Sequence, residues 1–273
     1  MTDGISNAHI DSHNRHLHIT APTLHIAKEK NDVFAAVFAL PPIVGYETIS
    51  GISANQFVAL GTVFENVDGT DVAIKDLVTV GTPVGSGAYG GADQIWVWNT
   101  TSAAWTKYFY YSARGVKQWR VVGGSAETTD TISTGTTFFF CRSSSATGTT
   151  TLTLSGKVKA LDGSSSFTVA ANQLAFASNP WPVALTVKDF NNYYTDGEPV
   201  GGGNIGGADQ IWLWDTDAAG WTKYFYYSGR GVKQWRVNGG AAAETTDTIP
   251  AGVGFFFQRA ASATAPATIT FTK

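Results

Sequence analysis

All five histidines fall within the first 25 residues, at His9, His13, His16, His18 and His25. Beyond them no imidazole is available for a nucleophile–base pair, so no Ser-His-Asp or Cys-His arrangement is expected there. The chain has no HExxH, no GxSxG elbow and no CxxC pair. His16 and His18 are spaced to share one face of a strand, as two ligands of a metal would be. Zinc asks for three or four ligands held by a supporting shell. This stretch has no Cys, and its carboxylates Asp3 and Asp11 carry no structural signal. The expectation is no metal and no cofactor.

Carboxylates come in matched sets. Asp93, Glu127 and Asp130 recur as Asp209, Glu244 and Asp247. A carboxylate pair can hydrolyse glycosides, but Asp and Glu near turns more often bind backbone N–H groups. Asp215 and Asp217 resemble the start of a calcium loop, yet Asn99 and Thr101 hold the matching places and no bidentate Glu follows at EF-hand spacing. Gly85 to Gly91 and Gly201 to Gly207 contain no Lys and lead into strands, so they are turns rather than phosphate cradles. No catalytic residue is expected, and the chain is read as a non-enzyme.

Aromatic residues are the stronger candidates for binding. Trp96, Trp98, Trp105 and Trp119 recur as Trp212, Trp214, Trp221 and Trp235, with Arg114 and Arg120 recurring as Arg230 and Arg236. Exposed Trp faces stack on sugar rings, which makes polysaccharide one candidate partner. Packing in a core or an interface is the competing role for each Trp, and an internal cation–π contact is the competing role for each Arg.

These recurrences belong to a duplication. GGADQIWVWNTTSAAWTKYFYYSARGVKQWR (90–120) and GGADQIWLWDTDAAGWTKYFYYSGRGVKQWR (206–236) agree at 25 of 31 positions. The match continues through ETTDTI and then Phe138 to Phe140 with Arg142, against Phe255 to Phe257 with Arg259. The divisions are an N-terminal arm at 1–45, a first repeat at 46–157 and a second at 158–273. Alternating β-branched and aromatic residues between Gly, Asn and Asp clusters mark strands. No window shows a helical stripe. The expected fold is all-β: two tandem homologous antiparallel β-sandwich or partly closed barrel domains plus an extended N-terminal arm.

Several of those strands are apolar on both faces: Ile95 to Trp98, Tyr108 to Tyr111 and both triple-Phe segments. Burying one such side chain fully is worth about 1.5–3 kcal/mol, so both faces call for cover. The other repeat, a loop, a ligand or another copy could supply it. In the arm, His16 and His18 alternate with Leu17 and Ile19, and Leu24 and Ile26 flank His25. The arm is either an edge strand on its own first domain or an exchanged strand added to a neighbour's sheet.

The chain has 273 residues, a formal net charge of −3 and only 14% charged residues. A slightly acidic chain without a basic block is a poor fit to nucleic acid. The apolar run from Val33 to Val44 is too short to span a bilayer, and no signal peptide is visible. Cys141, the single cysteine, leaves the redox compartment open. Low charge suits stable interfaces. Ala208 to Trp214, Trp221 to Tyr227, Gln234 to Arg236 and Ile249 to Arg259 together resemble the motifs of uncharacterised secreted β-rich paralogues of Verrucomicrobia-type bacteria. That resemblance implies an extracellular or cell-surface setting and supplies no activity. The function expected is a structural protein that self-assembles into a filament, tube or surface array. The alternative is a carbohydrate-binding surface module.

Overall fold

The computed structural model describes residues 8–10, 15–20, 44–66, 68–158, 164–181 and 183–272. Counting strands of three residues or more, the arm and first repeat supply β1 (Ala8–Ile10), β2 (Arg15–Thr20), β3 (Val44–Ile52), β4 (Phe57–Gly61), β5 (Gln94–Asn99), β6 (Ala104–Ala113), β7 (Val116–Val121), β8 (Thr137–Cys141) and β9 (Thr150–Val158). The second repeat supplies β10 (Ser165–Val169), β11 (Leu174–Ser178), β12 (Tyr194–Asp196), β13 (Gln210–Asp215), β14 (Gly220–Gly229), β15 (Val232–Val237), β16 (Gly254–Gln258) and β17 (Ala267–Phe271). Helix is confined to short pieces such as Ile74–Leu77 and Val187–Tyr193.

Each repeat is a sandwich of antiparallel sheets, and none of the sheets closes into a barrel. A five-stranded sheet runs β7-β6-β5-β8-β4 in the first repeat and β15-β14-β13-β16-β11 in the second. Opposite it lies β3-β9 with the pair Phe64–Glu65 in the first repeat, and β10-β17-β12 in the second. The hairpin joining β6 to β7 turns on Arg114 and Gly115, both at positive φ (53° and 78°). Arg230 and Gly231 repeat it at 53° and 76°. Two central residues with positive φ match the right-handed twist of the flanking strands. The arginines recur because the turn recurs.

Side-chain parity explains the strands that are apolar on both faces. Phe138 and Phe140 point into the first repeat's own core with Ile95, Tyr108 and Trp119. Phe255 and Phe257 do the same in the second, with Ile211, Tyr224 and Trp235. The middle phenylalanines, Phe139 and Phe256, face the other way. They join Phe176, Ala59 and Cys141 in a third cluster, flanked by Trp96, Trp98 and Trp105 of one repeat and Trp212, Trp214 and Trp221 of the other. The two five-stranded sheets therefore press their outer faces together, and each repeat covers the other.

The contact is reciprocal. The Trp98 indole N–H donates to the Leu174 carbonyl at 2.9 Å, and the Trp214 indole N–H donates to the Phe57 carbonyl at 2.7 Å. Leu60 bridges Val253, and Thr136 bridges Ala177. Every one of these pairs maps onto its counterpart when the repeats are exchanged, so the halves are related by an approximate two-fold axis. Phe176 and Phe256 stack at 4.3 Å in this shared layer, and Phe139 lies 5.1 Å from Phe176. The large apolar side chains left most exposed, Tyr46, Val116, Val122, Val183 and Val232, sit apart on separate strands, strand ends and loops.

Candidate functional site

The repeated carboxylates are held in structural bonds. Asp93 immediately precedes β5 and Arg142 immediately follows β8, strands whose last paired residues here are Gln94 and Cys141. One step further along the ladder, the Arg142 guanidinium meets the Asp93 carboxylate at 2.6 Å, with both side chains buried. Asp93 also accepts from the Val84 and Ser143 backbone N–H groups, and Arg142 donates to the Thr82 carbonyl. Asp209 and Arg259 repeat this pair at 2.6 Å. There the carboxylate accepts from Val200 and Ala260 N–H and from the Tyr194 hydroxyl. Burial, then the Asp209 charge, pushes the Tyr194 phenol well above its ordinary pKa.

Asp130 and Asp247 accept from the Tyr108 and Tyr224 hydroxyls, each at 2.9 Å. Burial first, and then these hydrogen bonds, raise both phenols. Glu127 lies 3.6 Å from Lys75 at an exposed position. Asp215 accepts from the N–H groups of Asp217 and Ala218, which makes that stretch a turn. No group of three or more metal-ligating side chains occurs among the described residues. Burial raises the Cys141 thiol well above its usual pKa, which keeps it a buried, protonated group.

The tryptophans divide into two kinds. Trp119, Trp181 and Trp235 are core residues, and Trp235 donates to the Asn191 side chain at 2.9 Å. The other six are half-buried in the layer between repeats. Trp96 and Trp212 each carry a lysine on one ring face, Lys107 at 3.6 Å and Lys223 at 3.7 Å from the centroid. The arginines choose tyrosine instead, Arg120 over Tyr111 at 3.4 Å and Arg236 over Tyr227 at 3.5 Å. The expected Arg–Trp contacts are thus Arg–Tyr and Lys–Trp contacts, set by which residues lie on neighbouring strands of one face.

The arm meets the body as a strand. β2 pairs antiparallel with β3, with His16 opposite Thr48, Leu17 opposite Glu47, His18 opposite Tyr46 and Ile19 opposite Gly45. β1 adds outside it, with His9 opposite His16. Of the β3 residues in this register, Glu47 and Gly45 are buried. Leu24 and Ile26 lie outside the described residues.

A cleft of about 330 Å³ lies between the repeats. Residues 133–136 and Trp98 of the first repeat and residues 165–168 and 175–178 of the second form its walls. Its lining is rich in Ser and Thr and carries no charged side chain. Of the Trp positions the sequence singled out, Trp98 borders this cleft, whose other walls come from segments remote in the chain. No protein-family model matches the chain, and no curated protein matches it significantly.

Proposed function

We propose that the protein is a non-enzymatic structural protein that assembles with copies of itself, with the N-terminal arm as the connecting element. The observation that carries this is the comparison of the two repeats. The second repeat builds its sandwich without any strand equivalent to β2 among the described residues. The first repeat builds the same sandwich with β2 added at the edge of β3. A strand that one copy of the fold lacks is an addition to that fold. Strands added at an edge through main-chain hydrogen bonds are the elements proteins exchange between copies.

The aromatic rows play a different part from the one their exposure in sequence suggested. Their cover comes from within the chain, so they make the two-fold body rigid and leave association to the arm. Polysaccharide binding at Trp96 and Trp212 is less favoured, since a lysine already occupies one face of each ring. No helix of the described residues is long and apolar enough to cross a membrane. A surface or extracellular location accords with the sequence resemblance.

The test is light scattering and electron microscopy of the full chain and of a variant lacking residues 1–32. The full chain forms extended or closed assemblies, and the shortened chain stays monomeric with its near-ultraviolet circular dichroism retained. Identical monomers in both samples at high concentration would refute the proposal.

A further inference from the structure

The two repeats differ at one sheet edge. In the first, β3 lies between β9 and β2. In the second, the equivalent strand β10 pairs with β17 and, among the described residues, with no strand on its other side. Pairing fixes the equivalence. Thr48 lies opposite Thr153 and Ser166 lies opposite Thr270, and Thr153 and Thr270 hold the same place in the duplicated strand. Thr48 therefore corresponds to Ser166, Glu47 to Ser165 and Ile49 to Phe167.

Burial follows the difference in cover. Glu47 and Ile49 are 5% and 2% exposed. Ser165 and Phe167, in the same places, are only half-buried. The 330 Å³ cleft runs along this strand. Consecutive residues 165–168 line it, so side chains of both parities border it, as happens along an edge rather than over a face. The strand reads SSFTV. It has no Lys, no Pro and no charge, the devices that ordinarily blunt an edge. Two other edges each receive a backbone bond from a following loop: Thr128 N–H donates to the Trp119 carbonyl beside β7, and Thr245 N–H to the Trp235 carbonyl beside β15, each at 2.9 Å.

The adjoining turn has the same form in both repeats. Gly135 approaches β10 so closely that a Cβ there would stand 2.7 Å from the Ser165 Oγ. Its counterpart Gly252 approaches β3 in the same way, with a Cβ 2.8 Å from Glu47 Oε2. β2 nevertheless lies along β3. The frame that receives the arm strand in the first repeat is present, without it, in the second.

We infer that β10 is the acceptor edge for β2 of a second copy, with His16 opposite Ser166 and Leu17 opposite Ser165. This rests on the assembly proposed above and names its joint. On its own β3 the arm caps a copy; on a neighbour's β10 it links two. Donor and acceptor are different surfaces, so the contact is head-to-tail and builds an open chain unless its rotation closes a ring. The roughly two dozen residues between β2 and β3 reach about 80 Å at full extension. That exceeds the roughly 20 Å radius of gyration of a compact chain of this length.

The experiment mixes two full-length single variants, His16→Cys and Ser166→Cys, in a glutathione redox buffer. Disulfides between copies are then mapped by peptide mass spectrometry. Cys141 is buried and stays out of the exchange. The reference mixture pairs His16→Cys with Lys117→Cys, an exposed position on β7. Near-ultraviolet circular dichroism checks the fold of each variant. The expected result is a 16–166 disulfide in about tenfold or greater excess over 16–117, as local concentration at a formed joint requires. Assemblies that form with no such excess, or that join residue 16 to a cysteine placed at Thr48 of another copy, would overturn β10 as acceptor and leave arm-driven assembly standing. Absence of both assemblies and intercopy disulfides would overturn both.

Discussion

Asp93 and Arg142 show how a motif that looks catalytic serves the ladder. Both are buried, and each is the other's counter-charge. Removing one partner strands the other, and Arg142→Met should cost about 3–5 kcal/mol. Exchanging both, Asp93→Leu with Arg142→Met, should cost less than the sum of the two single changes, because no buried charge is left alone. Urea unfolding of the three variants measures this, and additive losses would contradict a coupled pair. The phenols of Tyr108, Tyr194 and Tyr224 make a second prediction. Burial, with the adjacent carboxylate, raises all three above the ordinary value, whereas in the unfolded chain they titrate near 10. The folded state thus holds these protons to higher pH than the unfolded state does. The stability they contribute is complete below about pH 10 and is lost as pH rises through the folded values. Absorbance at the phenolate band against pH should show these groups ionising only as tertiary circular dichroism disappears. Full phenolate formation with the fold intact would contradict the assigned environments.

Strands and turns were largely legible in the sequence, because alternation and turn residues are local signals. ETTDTI and the triple-Phe segments announced the duplication, and GGADQIW placed β5 and β13. The pairing of Asp93 with Arg142 was also within reach. An acid just before one repeated strand and an Arg just after another meet if those strands are antiparallel neighbours. What parity alone could not decide was which partner covers the second face, since that depends on packing between segments more than a hundred residues apart. The direction taken by Phe139 against Phe138 and Phe140 required the sheet itself. The repeated hairpin gives a test at this scale. Gly115 has φ +78°, and a Cβ there would meet nothing within 4 Å. Gly115→Ala therefore isolates the backbone cost, about 1–2 kcal/mol, readable as a lower melting temperature. Gly231→Ala should match it, and a silent substitution at either site would contradict the turn assignment.

At the scale of the whole molecule, duplication has produced a body with an approximate two-fold axis and unequal sheet edges. The halves share their cores, their buried Asp–Arg pairs and the aromatic layer between them. Among the described residues they differ in the arm strand, which lies on β3 and has no equivalent beside β10. A symmetric interior with an unequal edge is the feature on which the proposed assembly rests. The aromatic layer fixes where the two edges stand relative to each other, so it sets the geometry of any chain of copies without forming its joints. This also accounts for the low charge: the sheet faces that would otherwise meet solvent are turned inward.

The most direct test of that claim is sedimentation velocity of the full-length protein over a range of concentrations. A protein that links copies through its arm gives a distribution moving to species of several times 29.0 kDa as concentration rises. A single 29.0 kDa boundary at every concentration would contradict it.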